Sequence, residues 1–206
     1  MCTESRKRMK WVVVLMVLLT TIVVLLLLVC GCWLWEPRAP QRSFTPEDLL
    51  IDQDIAPPGW ELTDPTFPAG DTLCTRESAS IGYMANDGGQ SIQGGTHSVY
   101  RHQTAGIARR TFDKVYLSAL KLQASHDAWT YQSQIAERSH FGCYNVNQVV
   151  YCEWGAQYEE YIVVFGARLP PGEVSLANIE QIEEIVRAID ARMAEYLGKP
   201  LLTQKP

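Results

Sequence analysis

The sequence predicts an α+β fold: an N-terminal transmembrane helix followed by one domain, with a mostly antiparallel sheet packed against two long helices. Three observations carry this expectation. Residues 11–35 hold no Asp, Glu, Lys or Arg. Beyond them, segments of alternating apolar and polar residues follow one another across short turns, which suits hairpins rather than the long crossovers of a parallel sheet. Residues 104–125 and the stretch after Ser175 instead repeat apolar residues at helical spacing.

The apolar run comes first. As a helix, residues 11–35 would reach about 37 Å, against roughly 30 Å of bilayer hydrocarbon. Thr20 and Thr21 interrupt it, and their hydroxyls can bond back to helix carbonyls. Trp11 at one end and Trp33 and Trp35 at the other suit the two interfaces. Arg6, Lys7, Arg8 and Lys10, opposed only by Glu4, assign residues 1–10 to the cytoplasm and residue 36 onward to the outside. A cleaved secretory signal fits less well, because its apolar core spans about 7–15 residues. Val29-Cys30-Gly31-Cys32 resembles a lipobox read onto Cys32. Two readings of the far end therefore stay open, an uncleaved anchor and a lipidated Cys32, and both put the same domain on the same side.

Residues 36–44, with two prolines among polar residues, read as an extended linker. The domain itself is expected over residues 45–200, with 201–206 as a tail. Thr45-Pro46-Glu47-Asp48 is a helix start, and Leu49, Leu50 and Ile51 form one apolar turn. Pro57-Pro58-Gly59 is a rigid turn that sets Trp60 against the edge of the core. Residues 62–76 read as loop because of Pro65, Pro68 and Gly70. A strand is expected over residues 80–84, a hairpin loop over 86–95, and another strand over 96–102.

Thr104 opens the first long helix, to about Ser125, with Phe112, Val115, Ala119 and Leu122 as its buried stripe. Residues 128–137 alternate as a half-buried strand, with Trp129, Tyr131, Ser133 and Ile135 on one face. Residues 147–154 and 158–169 follow as a hairpin turning at Gly155-Ala156-Gln157. The second of these strands is apolar on both faces and reads as central. Pro170-Pro171-Gly172 stops it. The final helix carries the stripe Leu176, Ile179, Ile182, Val186, Ile189, Met193 and Leu197, and ends at Gly198 and Pro200.

Of 206 residues, 18 are Lys or Arg and 23 are Asp or Glu. Residues 1–35 hold four of the basic residues and one of the acidic, which leaves 14 against 22 and a net charge of −8 for the remainder. An acidic outer domain repels phosphate backbones, so nucleic acid is not an expected partner. Of the six cysteines, Cys2 falls on the cytoplasmic side and Cys30 and Cys32 at the end of the apolar run. Cys143 and Cys152 are the preferred disulfide. They close a small loop in a compartment where oxidation is permitted, and Cys74 is left over or pairs elsewhere.

No catalytic residue is assigned. Gly89-Gln90-Ser91-Ile92-Gln93-Gly94 resembles a nucleophile elbow but has one residue too many after Ser91. His97 and His102 sit five apart on a strand and point to opposite faces, which argues against shared metal ligation. His126 and His140 fall near element ends, no metal-ligand spacing occurs, and no cofactor is expected. Aromatics concentrate on the strands. Filling a core is their ordinary use and lining a groove the functional one, so Trp129, Tyr131, Trp154 and Tyr161 are the candidate binding residues.

Pro57-Pro58-Gly59-Trp60, the strand and helix of residues 98–122, Cys143 and Cys152 ahead of Tyr158-Glu159-Glu160-Tyr161, and Ala188-Ile189-Asp190-Ala191-Arg192-Met193 resemble a group of bacterial membrane-anchored or lipoprotein extracytoplasmic domains. More distantly, residues 47–197 are similar to the extracellular sensor domains of mycobacterial serine/threonine kinases and to the PsbP-like α/β/α sandwich. The single apolar run, the compact outer domain and the missing catalytic motifs point to a non-catalytic module that binds a small ligand or another envelope protein at a membrane. A cell-envelope hydrolase with an unrecognised site is the alternative.

Overall fold

The computed structural model describes residues 16–22, 38–56, 60–67, 75–85, 94–116, 129–147, 149–169 and 176–200. The chain divides into two units, Met1–Pro37 and Arg38–Pro206. In the first, residues 16–22 are helical, and the Thr20 and Thr21 hydroxyls donate to the carbonyls of Met16 (2.8 Å) and Val17 (2.7 Å). No helix among the described residues is long and apolar enough to cross a membrane. This corrects the expected transmembrane helix: of the 11–35 run only residues 16–22 are described, and they do not qualify as a span. The rest of the 11–35 run, with Cys32, lies outside the described residues.

The second unit is built on six strands: β1 (Trp60–Phe67), β2 (Thr75–Ala85), β3 (Gly94–His102), β4 (Arg138–Val146), β5 (Val149–Tyr158) and β6 (Tyr161–Leu169). They form one sheet in the order β1-β2-β3-β6-β5-β4, with every neighbouring pair antiparallel. Two three-stranded meanders thus meet where β3 pairs with β6. β6 lies inside the sheet, as its two apolar faces predicted.

The expectation of two long helices is also corrected. The helix after Thr104 is α1 (Ala105–Thr111), continued by a π-helical turn at Phe112–Tyr116; residues 117–128 lie outside the described residues. Thr104 caps it, its hydroxyl accepting from the Ile107 amide at 3.0 Å. The wider π turn shifts the phase of the apolar stripe. Phe112 is therefore fully buried whereas Val115, expected beside it, is 45% exposed. α2 (Leu176–Leu197) runs 22 residues, and its Ile179, Ile182, Val186, Ile189 and Met193 are completely buried.

α2, the 3-10 turn Glu47–Leu49 and residues 129–136 cover one face of the sheet. Trp154, Tyr158, Tyr161, Phe165 and Val99 project from that face into the core. Each large apolar side chain buried there contributes about 1.5–3 kcal/mol. α1 covers part of the opposite face through a second, smaller cluster of Ala108, Phe112 and Ile162.

Three local differences from the sequence reading have physical causes. Residues 129–136 alternate in burial but pair with no strand. The amides of Thr130 and Tyr131 bond the Glu183 carboxylate (2.7 and 3.1 Å), and those of Ile135 and Ala136 bond Ser133 Oγ. Residues 62–67, read as loop, belong to β1, because an edge strand tolerates Pro65 and the ladder is irregular between Thr63 and Phe67. Gly155, Ala156 and Gln157 are buried inside β5, and the turn falls at Glu159, with φ of 50°, and Glu160.

Candidate functional site

The face of the sheet opposite α2 carries a groove of about 470 Å³ beside the region that α1 covers. Its floor follows from register. Thr63, Gly82, Thr96, Gly166, Glu153 and Gly142 stand opposite one another in turn, one from each strand, and form a single row across the sheet. Glu153 is thus flanked by glycines on both neighbouring strands. A Cβ added at Gly166 would meet nothing within 4 Å. The backbone there is left bare, and the groove is the space that side chains would otherwise fill.

The rows on either side supply the walls. In one, Ser98 faces Ser80 and Val164, and the two serine hydroxyls bond each other at 2.6 Å. In the other, Met84, Gly94, Arg168, Tyr151 and Tyr144 follow in turn. Tyr144 and Tyr151 stack with centroids 5.7 Å apart. Arg168 is exposed at the groove's rim. Glu153 is half-buried, and desolvation raises its pKa. Its carboxylate in turn helps raise the Tyr144 phenol, after desolvation as the larger cause. Among the described residues no cation pairs with Glu153.

A second polar centre lies where residues 38–44 run back onto the domain. The Ala39 amide bonds the Gln103 carbonyl at 2.9 Å, and Phe44 packs on Tyr161 and Tyr196. Arg42 bonds Glu159 and, through Nε at 3.1 Å, the fully buried Glu160. Arg101, also buried, reaches Glu77 at 3.2 Å and the Pro40 carbonyl at 2.9 Å. Lys199 approaches Glu159 at 3.2 Å. Acids and bases here nearly balance, and the cluster fixes the segment to the β5–β6 turn.

The candidate binding aromatics sit on the core side and do not reach the groove. Trp129 stacks on Phe141 at 3.9 Å, and Trp154 and Tyr161 are fully buried in the core. Tyr131 and Tyr158 donate to the buried Asp190, which also accepts from Ser133 Oγ at 3.0 Å. Burial raises both phenols, and raises that of Tyr161 to about 12. Cys143 and Cys152 stand opposite each other on β4 and β5 and are disulfide-bonded, with Cα atoms 4.0 Å apart.

His97 and His102 are both buried on opposite faces of β3. His97 Nδ1 accepts from the Ile51 amide at 3.1 Å, and desolvation, with Arg192 nearby, lowers its pKa to about 3. His140 lies two strands from Val164 in the serine-bearing row. Ser91, His126, Cys74 and Cys32 lie outside the described residues. Among the described residues no group of three or more His, Cys, Asp or Glu could hold a metal ion. The groove residues Glu153, Gly166, Arg168 and Tyr151 were not foreseen. Their signal is glycine inside strands of matching parity, and reading it requires the register.

Searches of protein-family models and of characterised protein sequences found no match. Among solved structures, the fold is similar to that of the crystal structure of the extracellular domain of PknH from Mycobacterium tuberculosis. The TM-score is 0.44 and the identity 9%, over 74% of this chain and 100% of that one.

Proposed function

We propose that residues 38–200 form a non-catalytic, extracytoplasmic binding module, held at a membrane by the apolar 11–35 run, that takes its ligand in the groove floored by Gly166. The groove carries the reading: a bare backbone position at Gly166 beside a half-buried, uncompensated carboxylate is unfavourable for the free domain and useful only to something that fills it. Other buried charged or titratable side chains are engaged in the architecture, among them His97 with Ile51, Asp190 with three hydroxyls and Glu160 with Arg42. The Cys143–Cys152 bond supports an oxidising compartment.

The test uses the full chain in maltoside micelles, labelled with 15N-glycine, and a chemically mixed fragment set. Fragments that shift the Gly94 and Gly166 amides in the wild type, and no longer shift Gly94 when Gly166→Leu fills the floor, support the reading. A set that leaves both amides unmoved defeats it. Alkylation of cells under denaturing, non-reducing conditions reports whether Cys143 and Cys152 are bonded there. Mass spectrometry of the mature N-terminus separates an intact Met1 or Cys2 start from a lipidated Cys32.

A further inference from the structure

The groove's charges are arranged in a way that its binding role alone does not require. Glu153 lies in the glycine row, with the stacked Tyr144 and Tyr151 in the row beside it. A carboxylate next to aromatic faces in a half-buried setting is the chemistry that holds an ammonium group, through an ion pair and cation–π attraction together. Glu153 meets no such group among the described residues, whereas every other carboxylate of comparable burial there has a partner: Glu160 has Arg42, and Asp190 has Tyr131, Tyr158 and Ser133.

Arg168 supplies the opposite charge. It shares the exposed face with Gly166 and stands two residues further along β6, opposite Tyr151 and Gly94. Two residues along a strand span about 7 Å, and the neighbouring strand adds about 5 Å sideways. Glu153 and Arg168 therefore sit diagonally on paired strands, no ion pair joins them, and both line the same groove. Val164, Thr96, Met84 and Ser98 also line the groove. A carboxylate and a guanidinium that line one groove without pairing leave both charges to a ligand that carries two unlike charges.

We propose that the groove binds a zwitterion, with an ammonium group on Glu153 and the Tyr144–Tyr151 pair and an anionic group several bonds away on Arg168. This rests on reading the groove as a binding site. Recognition requires both ends. A monocation lacks the guanidinium contact and is repelled by Arg168, and a monoanion is repelled by Glu153.

The experiment titrates 6-aminohexanoate, hexylamine and hexanoate into the same 15N-glycine-labelled full chain, wild type and Glu153→Gln, Arg168→Gln and Gly166→Leu. The expected result is that 6-aminohexanoate shifts Gly94 and Gly166 at least tenfold more tightly than either singly charged probe. Glu153→Gln and Arg168→Gln each weaken it about tenfold, and Gly166→Leu abolishes it. Unchanged spectra elsewhere in both charge variants show that the fold is intact. If 6-aminohexanoate binds no better than hexylamine or hexanoate, or keeps its affinity in both charge variants, the zwitterion assignment falls while the groove reading survives. The same holds if mixed fragments occupy the groove and 6-aminohexanoate does not. If neither the fragments nor any of the three probes moves Gly94 and Gly166, both fall together.

Discussion

Glu153 stands directly opposite Gly166 across the β5–β6 ladder, so a half-buried carboxylate faces a position with no side chain at all. Nothing at Gly166 can screen or pair with it, and open space lies above the glycine. The pairing costs the free domain stability and leaves room for a ligand, the trade expected where a site is kept at the expense of the fold.

That cost has a sign that can be measured. Desolvation raises the folded-state pKa of Glu153 above its ordinary 4.5, while the unfolded chain keeps the ordinary value. Between the two the folded state holds more protons, so this group's contribution to stability falls as pH rises through that window and is absent below it. Glu153→Gln removes the penalty. Calorimetry at pH 7 is expected to give the variant a higher Tm, by on the order of 1–2 °C. The advantage disappears near pH 3, and a variant that melts with the wild type at both pH values contradicts the account.

Two glycines of the groove respond oppositely to alanine. At Gly166 the new methyl meets nothing within 4 Å, so Gly166→Ala acts mainly by restricting the unfolded chain and stabilises by about 0.4–1 kcal/mol. At Gly94, with φ of 155°, the same methyl would lie 2.6 Å from the Tyr83 carbonyl oxygen. Gly94→Ala is expected to destabilise by about 1–3 kcal/mol through backbone strain. Urea titrations of both variants with unchanged m-values give the comparison. Equal signs would mean that the groove floor is not as open as its register implies.

These residues also mark where the sequence could be read and where it could not. β3 and β6 were legible because alternation, or its loss on a central strand, depends on neighbours close in sequence. Residues 129–136 alternated just as well, yet their amides are taken by Glu183 and Ser133, and no local pattern encodes a side chain more than 50 positions away. Gly94-Gly95 and Gly155 were read as turn signals because a glycine in isolation looks the same in a turn and in a strand kept bare. The groove needs the registers of six strands at once, so Trp154 and Tyr161, conspicuous in sequence, drew the attention that belonged to Glu153 and Gly166. The Cys143–Cys152 bond was legible because a short loop with a turn inside it constrains its own ends.

Acid should loosen the domain through His97. Full burial, with Arg192 as a second cause, holds its folded-state pKa at about 3 against an ordinary 6.5. The unfolded state therefore takes up a proton as pH falls below 6.5 while the folded state refuses it, and stability drops steadily towards pH 3. His97→Asn keeps an acceptor near the Ile51 amide and removes the titration. Its Tm is expected to be lower at pH 7, because the smaller side chain leaves a void, but to change far less between pH 6.5 and 4 than that of the wild type. A parallel fall in both proteins would put the acid sensitivity elsewhere.

The segment between the apolar run and the domain reads as an extended linker, and Arg42 ties its described part to the β5–β6 turn. Glu160 is 1% exposed, and its nearest cation apart from Arg42 is Arg101 Nη2 at 3.8 Å, so Arg42→Ala strands a carboxylate that has little other compensation. Removing one partner of a buried pair typically costs about 3–5 kcal/mol, and Arg101 should hold the loss towards the lower end of that range. The same change frees residues 38–44, so limited proteolysis should cut there faster. Glu160→Gln placed on top of Arg42→Ala removes the stranded charge and is expected to recover part of the stability without restoring protection from the protease. That split is the decisive reading: stability follows the charge on Glu160, whereas docking follows Arg42. If both measures recover together, the segment is held by Phe44 against Tyr161 and Tyr196 and the ion pair is incidental.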